Sequence, residues 1–362
     1  MIKKGHLHKV SKGLLKLLLI LAAMSAAGCG RQAEAGEDAS DGRLKIVCTI
    51  FPSYDWTKQI LGEQEKETEL ILLMKNGADL HSYQPTVWDM VNISEADLFC
   101  YVGGESDFWV EDALKNAKNP DIKVLNLMEI LEGSVKEEEY TEGMQRTRGH
   151  MNYESEAHDH EKKDRINSVH SHHGEEEPEY DEHIWLSLRN AEAVCRAVKD
   201  ALCELDAGHS DIYERNCADY VQKLCSLDME YMQAAEQSSG PTLLFGDRFP
   251  FRYLVEDYGI SYYAAFSGCS AETEAGFETI TFLAGKADEL KLPAVLAIDG
   301  SDERIARTIA GNTKTRDQQV LVLDSMQSVS EQDIREGESY LSIMEKNLEV
   351  LRTALSETGR QS

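Results

Sequence analysis

The sequence predicts an α/β fold of two similar lobes, each a mainly parallel sheet flanked by helices, joined by one long rigid helix. Three observations predict it. Short strand-like runs alternate with helical stretches in both halves. The stretch 210–237 contains neither Gly nor Pro and carries Tyr213, Tyr220, Leu224, Leu227 and Tyr231 at helical spacing, as a continuous rod would. Once the N-terminal 28 residues are set aside, about 330 remain, more than one ordinary core organises.

The elements follow in order. Stretches 44–50, 69–74, 96–102 and 123–127 read as strands, with helices at 54–61, 85–93 and 108–116 between them. Regular structure resumes at Trp185. The helix at 191–205 has Val194, Ala197, Val198, Ala201, Leu202 and Leu205 on one face. The rod ends at Gly240-Pro241. A second series places strands at 242–245, 260–264, 294–298 and 320–323, and helices at 251–258, 274–291, 303–310 and 340–355. The halves share an element order and show no clear repeat. The expected organisation is a leader at 1–28, a tether at 29–43, a first lobe at 44–208, a linking helix at 209–238 and a second lobe at 239–362. Between about 132 and 182 the apolar period fails, and acids, His, Gly and Ser dominate, so a disordered loop is expected there.

The leader reads as an export signal. Lys3, Lys4, Lys9, Lys12 and Lys16 precede or enter a run over 14–27 that is otherwise apolar except for Ser25. That run is short for a bilayer span and suits a signal peptide. It ends in Ser25-Ala-Ala-Gly-Cys29, similar to a bacterial lipobox, which makes Cys29 the expected site of lipidation. An extracytoplasmic, lipid-anchored monomer is the expectation. Loss of five lysines with the leader takes the formal charge from −28 to −33. Such a surface disfavours nucleic acid, whose phosphates need basic patches, and favours cations. No CxxC pair suggests a thiolate zinc knuckle, and the cysteines after Cys29 read mostly as small buried apolar residues.

In open α/β sheets, ligands gather beyond the C-terminal strand ends. Four polar segments fall there: Gly77-Ala-Asp-Leu-His81, Asp181-Glu-His183, Gly246-Asp-Arg248 and Asp299-Gly-Ser-Asp302. Two histidines from one lobe and carboxylates from the other form a set that suits Zn²⁺, with Mn²⁺ as the alternative. Set against this, Asp302 is by default a helix N-cap, and Asp247 has Arg248 and Arg252 close at hand in sequence.

These segments also resemble the zinc/manganese-type solute-binding proteins of metal ABC transporters. The resemblance is carried by Asn76-Gly-Ala-Asp-Leu-His-Ser-Tyr-Gln-Pro85, Ala96-Asp-Leu-Phe99, the stretch 103–109, Asp181-Glu-His-Ile-Trp-Leu186 with Asn190, Tyr213, Asn216, Tyr220 and Leu224 of the rod, and Glu336-Gly-Glu-Ser-Tyr-Leu-Ser-Ile-Met344 with Asn347-Leu348. It spans about residues 44–355, the loop excluded. It implies metal ligation by His81, His183 and Asp302, and delivery to an ABC permease. One position departs from the pattern. Where the family has His or Glu, this chain has Arg248, and guanidinium cannot ligate a cation. Asp247 takes that role if the loop shifts by one residue; Cys269 and Glu272 are the alternatives.

Six further histidines, His150, His158, His160, His170, His172 and His173, lie in the acidic loop. Imidazole prefers Zn²⁺ to Mn²⁺, and zinc-type members carry a similar insertion. The segment reads as a collector that raises local Zn²⁺ through many weak sites; the bland reading is a solvated charged loop. Two readings from other classes compete with transport. A secreted metallohydrolase needs an open coordination position and a general base, and no HExxH or nucleophile elbow supports it. An adhesin or zinc-buffering surface protein is the other.

Overall fold

The computed structural model describes residues 43–75, 77–145, 179–270 and 274–356. The leader, Cys29, nearly all of the tether, Glu272 and the six loop histidines lie outside them.

The first lobe opens with β1 (Leu44–Cys48), α1 (Phe51–Leu61), β2 (Thr68–Leu72), α2 (Val87–Ser94), β3 (Leu98–Tyr101), α3 (Trp109–Lys115), β4 (Lys123–Asn126) and the single turn α4 (Leu127–Ile130). Its four strands are all parallel, in the order β2-β1-β3-β4. Two long helices follow, α5 (Leu188–Leu205) and α6 (Ser210–Glu236). The second lobe comprises β5 (Thr242–Phe249), α7 (Arg252–Asp257), β6 (Ser261–Ser267), α8 (Phe277–Leu290), β7 (Ala294–Ile298), α9 (Arg304–Asn312), β8 (Gln319–Leu323), α10 (Glu331–Arg335) and α11 (Tyr340–Ala354). Its sheet is parallel too, in the order β6-β5-β7-β8. The two sheets therefore share one topology, and in each the order reverses beside the first strand, which opens a crevice at the C-terminal ends.

Local chemistry accounts for the element ends. Pro52 stands at the start of α1, where its missing N–H costs nothing. Thr86 and Asp89 form a reciprocal capping box on α2, and Ser187 Oγ accepts from the Asn190 amide to cap α5. β7 is buried at every position, as a central parallel strand covered on both faces should be.

The long helix α6 joins the lobes and packs on α1, α5 and α11. One core cluster runs through both lobes, from Ile46 and Trp56 through Tyr231 to Phe245 and Leu351. The last helix is tied back onto the first lobe. The Tyr340 amide donates to buried Asp55 (3.0 Å), its ring meets Trp56 edge-on at 5.0 Å, and its hydroxyl donates to the Trp185 carbonyl (2.7 Å). The Tyr231 hydroxyl of α6 donates to the Met344 carbonyl (2.7 Å).

The expected disordered stretch is corrected at both ends. Residues 132–145 lie across the second lobe. The Lys136 amide donates to the Tyr253 hydroxyl (3.0 Å) and the Gln145 amide to the Ala265 carbonyl (2.9 Å). Glu137 and Tyr180 pair as an antiparallel bridge, which brings the two ends of the insertion together. Sequence periodicity could not show this, because the segment is held by single long-range bonds rather than by an apolar face.

Strands β5 and β6 run longer than expected, to Phe249 and Ser267. β5 breaks register against β6 between Phe245 and Arg248. Gly246 permits this, since a Cβ there would lie 2.4 Å from Ala306 Cα of α9. The seven described cysteines are free thiols. Among the described residues no helix is long and apolar enough to cross a membrane.

Replacing Tyr340 with Phe should leave the Trp185 carbonyl unpaired inside the core. The expected loss is about 1–3 kcal/mol, read as a lower denaturant midpoint.

Candidate metal centre

Both histidines are presented by the same local device. Asp79-Leu-His81 and Asp181-Glu-His183 share a D-x-H spacing. In each, the aspartate Oδ1 accepts from the backbone amide of the histidine two residues on, at 2.9 and 2.8 Å. This is the Asx-turn that short acidic side chains favour. It fixes the backbone just before the imidazole leaves it. His81 sits in a 3-10 turn, Leu80–Ser82, beyond β2, and His183 directly precedes a second such turn, Ile184–Leu186.

The rings are oriented by their inner nitrogens. His183 Nδ1 lies 2.9 Å from Asp181 Oδ1, and the carboxylate selects the Nδ1–H tautomer. His81 Nδ1 lies 2.9 Å from Ser106 Oγ and 3.4 Å from Glu182 Oε2. Glu182 is itself held by the Ser106 amide (2.8 Å), across a turn at Gly103-Gly104. Gly104 has φ +80°, and a Cβ there would strike Glu182 Oε1 at 2.4 Å, so only glycine fits. Trp185 packs against the His183 ring at 5.3 Å between centroids, while its indole N–H donates to the Ser325 carbonyl (2.9 Å). His183 is fully buried.

This leaves the two Nε2 atoms facing each other at 3.2 Å. Burial, and next the neighbouring His183, push His81 down to about 3, so it is neutral at neutral pH. Two Zn–N bonds of 2.0–2.1 Å at a tetrahedral angle place their nitrogens about 3.3 Å apart. The observed spacing matches that geometry and is also that of a hydrogen bond between the two rings. Burial also raises Glu182, and it pushes Asp107, whose carboxylate accepts from the Gly103 amide (3.0 Å), up to about 7.

His81 lines a cavity of about 560 Å³ between the strand ends of the two lobes, and the fully buried His183 lies behind it. His81, Asp247, Arg248, Cys269, Asp299 and Asp302 are among its lining residues. The carboxylates expected as ligands are directed elsewhere. Asp302 is largely exposed, its Oδ1 accepting from the Arg304 amide (3.0 Å) and its Oδ2 3.8 Å from the Arg304 guanidinium. Asp247 spends its oxygens on the amides of Arg248 (2.9 Å) and Ile298 (3.4 Å), which pins the irregular turn of β5. Among the described residues, the group of three or more candidate donors is His81, His183 and Cys269, whose ligating atoms all lie within 4.8 Å of one another. Burial pushes the Cys269 thiol up.

Arg248 reaches across the cavity to Asp79 Oδ2 at 2.8 Å. Burial works to raise Asp79, but the Arg248 charge outweighs it and holds that carboxylate below its usual range. Asp79 thus joins the His81 turn to the second lobe. Asp299 accepts four hydrogen bonds, from the amides and hydroxyls of Ser325 and Ser328, and shapes the far wall. Sequence reasoning passed over Asp79, Ser106 and Glu182; the repeated D-x-H spacing was the available signal for Asp79 and Asp181.

Comparison with known proteins identifies relatives of the whole chain. Zinc-binding lipoprotein AdcA of Streptococcus pneumoniae is 28% identical over 351 residues, covering 96% of this chain but 62% of that protein, so the chain spans under two thirds of that relative. High-affinity zinc uptake system protein ZnuA of Bacillus subtilis is 26% identical over 344 residues, covering 93% of this chain and 97% of that protein. The crystal structure of the Zn(II)-bound ZnuA-like domain of Streptococcus pneumoniae AdcA matches with a TM-score of 0.62 at 25% identity, covering 87% of this chain and 99% of the domain. These relatives carry the names of zinc-binding and uptake proteins, not of enzymes. The family described as zinc-uptake complex component A, periplasmic, matches residues 46–354, and the chain belongs to that family.

Proposed function

We propose that this protein captures Zn²⁺ outside the cytoplasm, in the cavity between its lobes, and delivers it to the permease of an ABC importer. The observation that carries the reading is the 3.2 Å separation of two imidazole Nε2 atoms, with the rings oriented through Ser106 and Asp181. His81 and His183 are the ligands from the first lobe. Asp247 and Asp302 line the same cavity, and we assign them to drawing the cation inward rather than to holding it, since both are committed to backbone amides. We assign the lipid anchor to Cys29 and the collection of zinc to the histidines at 150, 158, 160, 170, 172 and 173. A core that runs through both lobes and a single long helix joining them restrict the lobes to a small opening movement. The zinc-uptake names of the relatives support transport over an adhesive or buffering role.

Three outcomes are expected. Replacing His81 or His183 with Ala should weaken Zn²⁺ binding by roughly 100-fold or more. Calorimetry showing unchanged tight binding in both variants would remove the site. Deleting residues 148–178 should leave one tightly bound zinc per chain in metal analysis of the purified protein; loss of all zinc would make the insertion the main site. The third concerns acid. The folded protein keeps His81 neutral down to about 3, whereas the unfolded chain takes up that proton near the ordinary imidazole value of about 6.5. Between those values the unfolded state binds more protons, so stability falls as pH falls. The metal-free wild type should therefore lose more thermal stability between pH 7 and pH 5 than His81→Gln does. Equal losses in scanning calorimetry would contradict the burial argument.

A further inference from the structure

We propose that Cys269 is the zinc ligand supplied by the second lobe, and that its thiolate sets the selectivity of the site for Zn²⁺ over Mn²⁺. This rests on the zinc-capture reading above and identifies the donor that reading lacks.

The argument begins with two neighbouring strands. β5 and β6 are parallel partners that end side by side at the cavity, with Arg248 opposite Phe266 and Phe249 opposite Ser267. The end of β5 offers no ligand. Arg248 is a cation paired with Asp79 across the cavity, and Asp247 is consumed by the irregular turn. The end of β6 offers Gly268-Cys269, whose sulfur joins the two imidazole nitrogens in one group within 4.8 Å. The second lobe's contribution has thus moved sideways by one strand.

The approach of Cys269 is built rather than incidental. A Cβ on Gly268 would lie 2.9 Å from the Phe249 carbonyl oxygen and 3.1 Å from His183 Cε1, so glycine lets this backbone rest against the imidazole. The Cys269 amide donates to Glu138 Oε1 at 3.1 Å. Glu138 belongs to the strap 132–145, and its own amide donates to the Glu179 carbonyl (2.8 Å). The two ends of the His-rich insertion therefore meet at the residue that holds Cys269.

Geometry and chemistry agree. A Zn–S bond of 2.3 Å and a Zn–N bond of 2.0–2.1 Å at a tetrahedral angle separate sulfur from nitrogen by about 3.6 Å. A side-chain shift of roughly 1 Å closes the group around the ion. On binding, the thiol gives its proton to solvent and the sulfur donates an electron pair to zinc, with no change of oxidation state. Thiolate is a soft donor that favours Zn²⁺, while Mn²⁺ prefers carboxylate and water.

The test uses Co²⁺ as a spectroscopic stand-in for zinc, added at one equivalent to the full mature protein. The wild type should show an intense near-ultraviolet sulfur-to-cobalt charge-transfer band, and Cys269→Ser should lack it. In competition titrations Cys269→Ser should bind Zn²⁺ roughly 100-fold more weakly, and Cys269→Asp should narrow the preference for Zn²⁺ over Mn²⁺. A wild-type cobalt complex without the band overturns the proposal, even if a serine variant fails to fold. If that band is missing while His81→Ala still abolishes tight binding, the cleft site stands and only the cysteine is wrong. If neither histidine variant affects the metal, the zinc-capture reading itself fails.

Discussion

Two imidazoles held nitrogen to nitrogen, 3.2 Å apart at the base of the cavity, are the constraint on which the rest of this structure depends. The pair is held by stacked layers of support. Asp181, Ser106 and Glu182 fix the rings, and Trp185 backs His183. Tyr253 donates to the Asp181 carbonyl (2.8 Å) and Tyr340 to the Trp185 carbonyl (2.7 Å). The outermost of these supports come from the second lobe and from the closing helix. The fold therefore spends tertiary contacts on both sides of the cleft to hold two side chains of the first lobe. Such pre-organisation lowers the ordering cost that metal binding would otherwise carry.

The second lobe is less conventional. An arginine stands where the family pattern has a ligand, and it has become a tether. Arg248 joins β5 to Asp79, the same residue whose other oxygen holds the His81 backbone. Gly246, packed against Ala306, and the register break stand just before Arg248 in β5. The insertion has a comparable dual character. Its described ends, 132–145 and 179–182, are packed on the second lobe and bridged to each other, and Glu138 holds the Cys269 amide.

Much of the fold was legible because its signals are local. All eight strands were expected near their observed places, and the Gly- and Pro-free stretch 210–237 is the helix Ser210–Glu236. The extensions of β5 and β6 were not legible, because Gly246 and Asp247 look like a turn until a partner strand accepts them. Residues 132–145 were read as unstructured for a similar reason: their order comes from Tyr253, Ala265 and each other's distant partners. His81 and His183 were found from their place after strand ends and from family likeness. Asp302 was chosen on the same grounds, and in the structure its carboxylate accepts from the Arg304 amide two residues on.

By itself the sequence determined the two parallel sheets and the helix that joins them, and it placed His81 and His183 in motifs of the same spacing, since periodicity, turn residues and motif spacing are properties of neighbouring positions. Only the tertiary structure decided which second-lobe side chain meets those histidines. His81 and His183 are 102 residues apart, and Cys269 lies farther along still. Their convergence depends on strand order, one glycine-permitted irregularity and a strap laid across the second lobe, none of which leaves a periodic mark on the chain.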